Sequence, residues 1–160
     1  MRRLLLIPAL IALASPAVAG AYTRAAGDGA MTLKDASGKV VIQAKGGVIG
    51  RFDQGSLIVR DPNPDDELEA VVTGADKTRP VDDFVTVYSG KNIRFRFIGG
   101  RFKITLQKGT TGIDLSATGK GMVTLQGAGT LDDGEYAFNG DKPKPLPLIS
   151  TDFTLSALTL

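Results

Sequence analysis

The sequence predicts an all-β fold, an antiparallel β-sandwich or jelly roll of short strands. Three observations predict it. Apolar and polar residues alternate over short runs. Glycine, aspartate or asparagine interrupts those runs about every ten residues. After residue 21, no stretch keeps the three-to-four-residue apolar period of an amphipathic helix. Twenty of the 160 residues are glycine, many in turn-like settings. Tight reversals join antiparallel strands, whereas a parallel connection needs about a dozen residues or more.

The first element in chain order is a segment for export. Arg2 and Arg3 precede an apolar run over 4–14, and Pro16-Ala17-Val18-Ala19-Gly20-Ala21 follows. The arginines hold the N-terminus on the cytoplasmic side, the run partitions into the membrane, and small side chains fit a peptidase. Residues 1–21 therefore read as a signal peptide, cleaved after Ala19 or Ala21. The run is about half of the ~20 residues that span a bilayer, and Pro8 interrupts it. The expected location is secreted or in the cell envelope, with no transmembrane span left after processing.

Residues 22–160 read as one domain. Strands are expected at 30–34, 39–45, 48–52, 56–60, 68–73, 84–89, 92–98, 101–107, 112–118, 121–126, 134–139 and 151–157. Two longer connections, 61–67 and 140–147, are rich in proline and charge and read as surface loops. The most self-consistent stretch is 92–106, where Gly99-Gly100 predicts a two-residue hairpin turn. In that register Phe97 faces Phe102, Phe95 faces Ile104 and Ile93 faces Leu106, so one side of the ribbon is core. The other side carries Arg94, Arg96 and Lys103, with Arg96 across from Lys103 and Arg101 beside the turn. Like charges facing one another repel. Arg94, Arg96, Arg101 and Lys103 are thus the candidate binding residues, for an acidic polysaccharide or phosphorylated envelope polymer, or for a protein partner. A faint internal echo links 48–52 to 98–102 and Thr105-Leu106-Gln107 to Thr124-Leu125-Gln126.

Composition bounds the chemistry. Without Arg2 and Arg3 the chain holds 17 basic and 17 acidic residues. That balance argues against nucleic acid as a partner and requires any charged ligand to use a local patch. With no cysteine, the fold manages without disulfides, and about 140 residues bury enough surface to do so. With no histidine or cysteine, triad, thiolate and His/Cys metal chemistry are excluded, and a non-enzymatic protein without cofactor or metal is expected. Carboxylate pairs remain at Asp65-Asp66, Asp82-Asp83 and Asp132-Asp133. Adjacent residues on a strand point to opposite faces and make poor acid–base partners, so loop solvation is the expected role. The 61–67 loop resembles a calcium loop only superficially, because Asp66 stands where glycine is needed and Val72 where an acid is needed. Gly127-Ala128-Gly129 lacks the lysine and helix of a phosphate cradle. Short strands and the absence of tryptophan argue against an outer-membrane barrel. The expected function is an exported binding module. The alternative is a carrier whose interior, lined by Phe95, Phe97, Phe102, Ile104, Ile113 and Leu115, takes a lipid or other apolar ligand.

Overall fold

A computed structural model describes residues 25–62 and 68–157. The expected signal peptide and the acidic part of the 61–67 loop lie outside the described residues. Among the described residues there are seven strands: β1 (Gly29–Arg60), β2 (Glu69–Thr73), β3 (Lys77–Asp82), β4 (Val85–Gly127), β5 (Glu135–Phe138), β6 (Lys144–Pro145) and β7 (Thr151–Leu155). They form one antiparallel sheet with the path β2-β4-β1-β5-β6, and β3 and β7 also pair with β4. Among the described residues there is no helix. The fold is all-β, as the alternation predicts.

β1 and β4 are 32 and 43 residues long, far beyond the 3–10 residues usual for a strand. Four of the expected strands lie within β1 and five within or across the start of β4. The chain turns tightly at 83–84, where the Phe84 N–H donates to Asp82 Oδ1 at 2.8 Å. From there its two halves zip together. Asp82 stands opposite Val85, Thr73 opposite Arg94, Arg51 opposite Asp114 and Met31 opposite Phe138. This two-stranded ribbon also pairs with itself farther along: Arg60 lies opposite Val85, Phe52 opposite Ile93 and Val40 opposite Leu106. Much of β1 therefore has β4 on both sides. Val41 sits between Thr105 and Thr124, so the two Thr-Leu-Gln segments of the sequence echo flank the same stretch of chain.

The pairing sorts the strand segments into two laterally bonded groups. The first runs β5, 29–34, 114–119, 46–51, 94–98, β2. The second runs β7, 121–126, 39–45, 101–106, 57–60, 85–89, β3. The chain passes between groups at glycine corners. Gly29, Gly119, Gly46 and Gly99 form a row across four neighbouring segments at one of them. A Cβ on Gly46 would stand 2.1 Å from the Thr118 carbonyl oxygen, so only glycine allows this close approach of backbones.

Alternate residues of both groups point into one core. Its members include Met31, Val40, Ile42, Val48, Phe52, Leu57, Ile93, Phe97, Ile104, Leu106 and Leu125, each at most 1% exposed. Phe52, Phe95, Phe97 and Phe102 form a chain of rings with centroids 6.0–6.4 Å apart. A second cluster, Tyr136, Phe138 and Phe153 at 5.1–5.9 Å, ties β5 of the first group to β7 of the second. Asn139 reinforces this end. Its Oδ1 accepts the Ala30 N–H at 2.9 Å, and its Nδ2 donates to the Ser156 carbonyl at 3.0 Å.

The expected hairpin at Gly99-Gly100 does not form. Lys45 pairs with Arg101 and Gly46 with Gly99, so Gly100 is the extra residue of a bulge at a corner. Phe97 pairs with Val48 and Ala70, and Phe102 with Ala44, in different groups. Arg96 stands opposite Ile49 and Val71, not Lys103; Lys103 stands opposite Gln43 and Arg60. The core assignment survives for a different reason. Phe97 and Phe102 are an odd step apart, which regular alternation would send to opposite faces, and the extra residue Gly100 returns both rings to the interior from opposite groups. Two further strands were not anticipated. β3 contains Pro80 and three charged residues, Lys77, Arg79 and Asp82, a composition suited to an edge strand, and β6 lies in the 140–147 connection.

Candidate anion-binding groove

The corner that breaks the predicted hairpin also divides its basic residues. Arg94 and Arg96 project from the first group of segments, and Arg101 and Lys103 from the second. Arg96 is engaged by Glu69 in an ion pair. Arg94 faces Arg51 on one side and Thr73 on the other. Arg51 in turn donates from Nε and Nη2 to Asp114 Oδ2, at 3.0 and 2.6 Å. The Asp35 N–H donates to Asp114 Oδ1 at 2.9 Å. That backbone bond and the Arg51 contact hold the Asp114 carboxyl below its ordinary range, against the opposing effect of desolvation. Asp114 in turn raises the Arg51 guanidinium.

Arg101 and Lys103 join three cations from elsewhere in the chain. Lys45 lies directly between Arg101 and Lys120, and Lys103 lies between Gln43 and Arg60. These side chains are exposed, because each occupies the outward phase of a strand whose inward neighbours, such as Ala44, Phe102 and Ile104, are core. Together with Pro62 they line a groove of about 740 Å³. No acidic residue is among its described lining residues. Adjacent segments lie about 4.8 Å apart, so three cations in one row and two in the next crowd a small area. Direct like-charge neighbours in a sheet are destabilising. Two guanidinium and three ammonium side chains thus line one opening.

No protein-family model, curated protein or solved structure matches this chain.

The other sequence-level candidates have structural explanations. Asp82 closes the 83–84 turn. Asp132 Oδ1 accepts the Gly134 N–H at 3.2 Å. Asp133 is buried, and its carboxylate accepts the Gly129 N–H at 2.7 Å, the Thr130 N–H and the Thr130 hydroxyl. The hydroxyl bond foremost holds the Asp133 carboxyl below its ordinary range. The glycine-rich turn at 127–130 thus does present donors, but they close on the chain's own carboxylate. Asp65 and Asp66 lie outside the described residues. No group of three or more His, Cys, Asp or Glu among the described residues is placed to hold a metal ion.

The convergence of Lys45, Arg60 and Lys120 on this groove is not legible in local sequence, because it depends on pairing between distant segments. A signal was present nonetheless. Lys45 precedes Gly46-Gly47, Arg101 follows Gly99-Gly100, and Lys120 stands between Gly119 and Gly121. Where the glycines align at a corner, so do the cations beside them.

Proposed function

We propose that this chain is an exported, non-enzymatic jelly-roll module that binds an anionic polymer of the cell envelope or extracellular space through Lys45, Arg60, Arg101, Lys103 and Lys120. The observation that carries the reading is the direct juxtaposition of Lys120, Lys45 and Arg101 across three neighbouring segments, with Lys103 and Arg60 beside them. In a protein of balanced charge, Lys120 and Lys45 side by side with Lys103 and Arg60 close to them make a local basic surface, and a repeating polyanion meets several such charges at once. The ribbon pairing of the two chain halves supports the jelly-roll description, in which a long hairpin winds around a single core. Export rests on the N-terminal pattern of charge, apolar run and small residues. The non-enzymatic reading rests on the absence of histidine and cysteine and on the structural roles of Asp82, Asp132 and Asp133.

The side chains assigned to a lipid-carrying interior favour the module over the carrier. Phe95, Phe97, Phe102, Ile104, Ile113 and Leu115 are at most 5% exposed and belong to one packed cluster.

The test is a charge-reversal pair. At about 1 kcal/mol per close charge pair in water, Lys103→Glu with Lys120→Glu removes and then opposes enough attraction to weaken binding to a soluble polyanion at least tenfold. Arg94→Glu with Arg96→Glu changes that affinity little. Equal losses in both double variants, or none in the first, would reject the groove as the site. Binding must also weaken as salt rises.

A further inference from the structure

A second groove lies on the other group of segments. Its outward face forms a shallow groove of about 710 Å³, within the 300–1,000 Å³ range of small-molecule sites. Its exposed middle is aliphatic where alternation would ordinarily place polar residues. Ile49 is 51% exposed and Val71 38%, one on each side of the 94–98 segment. Ala137 and Pro143 continue this apolar lining toward the β5 side.

Of the three arginines that line the groove, two are held by carboxylates. Arg51 is bonded to Asp114, Arg96 to Glu69, and Lys34 stands opposite Glu135. Arg94 makes no ion pair with a described acidic residue. It lies at the β2 side of the groove, directly across from the Thr73 hydroxyl-bearing residue, and also borders an adjoining cleft of about 360 Å³ that contains Asp53. An apolar trough with one uncompensated guanidinium at its end complements a single apolar chain carrying one carboxylate. Arginine can accept such a headgroup through two parallel hydrogen bonds.

We propose that this face binds a long-chain carboxylate, with its headgroup on Arg94 and its chain over Val71 and Ile49 toward Ala137 and Pro143. The site is independent of the polyanion groove and uses the outside of the fold, leaving the packed core undisturbed.

The purified protein is titrated with a fluorescent long-chain fatty acid below its micelle concentration, and the probe is then displaced with oleate or with oleyl alcohol. One saturable site is expected, with oleate displacing far better than the alcohol. Arg94→Gln should weaken oleate at least tenfold while leaving the alcohol unchanged, and Ile49→Glu should weaken both. Lys103→Glu with Lys120→Glu should leave the titration unaltered, which separates this site from the polyanion groove. Circular dichroism verifies that each variant is folded, and Arg94→Lys, with partial retention of oleate binding, serves if Arg94→Gln is not. Absence of saturable binding, an Arg94→Gln affinity equal to that of the parent, or a dimer in light scattering that Ile49→Glu dissociates would overturn the proposal; the dimer would assign this face to a second copy of the chain.

Discussion

Replacing Phe97 with alanine tests how the two groups of segments meet. Phe97 is fully buried, its ring lies 6.0 Å from those of Phe95 and Phe102, and its strand neighbours are Val48 and Ala70. Loss of its transfer free energy accounts for about 1.5–3 kcal/mol, and its two ring contacts for about 0.5–1.5 kcal/mol each. The sum agrees with the roughly 3–5 kcal/mol measured for emptying a phenylalanine site in a core. Urea unfolding followed by circular dichroism and tyrosine fluorescence reads this directly, since the chain has three tyrosines and no tryptophan. With a denaturant slope of about 2 kcal/mol per molar, a loss of about 4 kcal/mol moves the midpoint by about 2 M. A Phe97→Ala, Phe102→Ala cycle adds a check on the corner, because rings in contact couple by about 0.5–1.5 kcal/mol. A single-variant loss below about 1 kcal/mol, or no coupling, would refute the packing of these two segments across one core.

Two other predictions concern the corners and the loops. Gly46→Ala drives a Cβ to within 2.1 Å of the Thr118 carbonyl oxygen and should cost at least about 2 kcal/mol in the same urea assay, whereas Gly129→Ala, with no heavy atom within 4 Å of its new Cβ and strain only from φ +94°, should cost less. Stability should stay nearly level from about pH 8 to pH 5, because the sequence has no histidine to titrate there. It should then fall as acid protonates Asp114 and Asp133. Their folded-state pKa values lie below the unfolded value of about 3.9, so their contribution is present above that value and is lost as pH drops through the folded one. Thermal melts of the parent and of Asp133→Asn check this; the variant should lose less on acidification, and an unchanged acid response would contradict the role given to Asp133.

Most strand positions were legible because a half-buried strand writes its burial into a period of two, and the core residues around Phe95, Phe97, Phe102 and Ile104 follow from that alone. The connection between them did not. Gly99-Gly100 suits a hairpin turn and a corner bulge equally well, and both put Phe97 and Phe102 on the interior side. Local sequence cannot choose between them, because the deciding fact is that Lys45 and Gly46 lie alongside, more than fifty residues upstream. The same dependence on distant pairing hid most of the candidate site. Arg101 and Lys103 were visible in one stretch, but Lys45, Arg60 and Lys120 join them only through the ladder between β1 and β4. β3 is not legible in the sequence because the proline and charge that protect an edge strand also make it resemble a loop.

The ladder brings five cations together, and we propose that they form a polyanion site. Backbone amide NMR of the labelled protein during titration with a soluble polyanion tests it most directly. Shifts concentrated at residues 43–45, 60, 101–103 and 120, saturating and then reversing with added salt, are the predicted result. Saturable shifts confined to Arg94, Arg96 and their neighbours, or no saturable shifts at low salt, would contradict it.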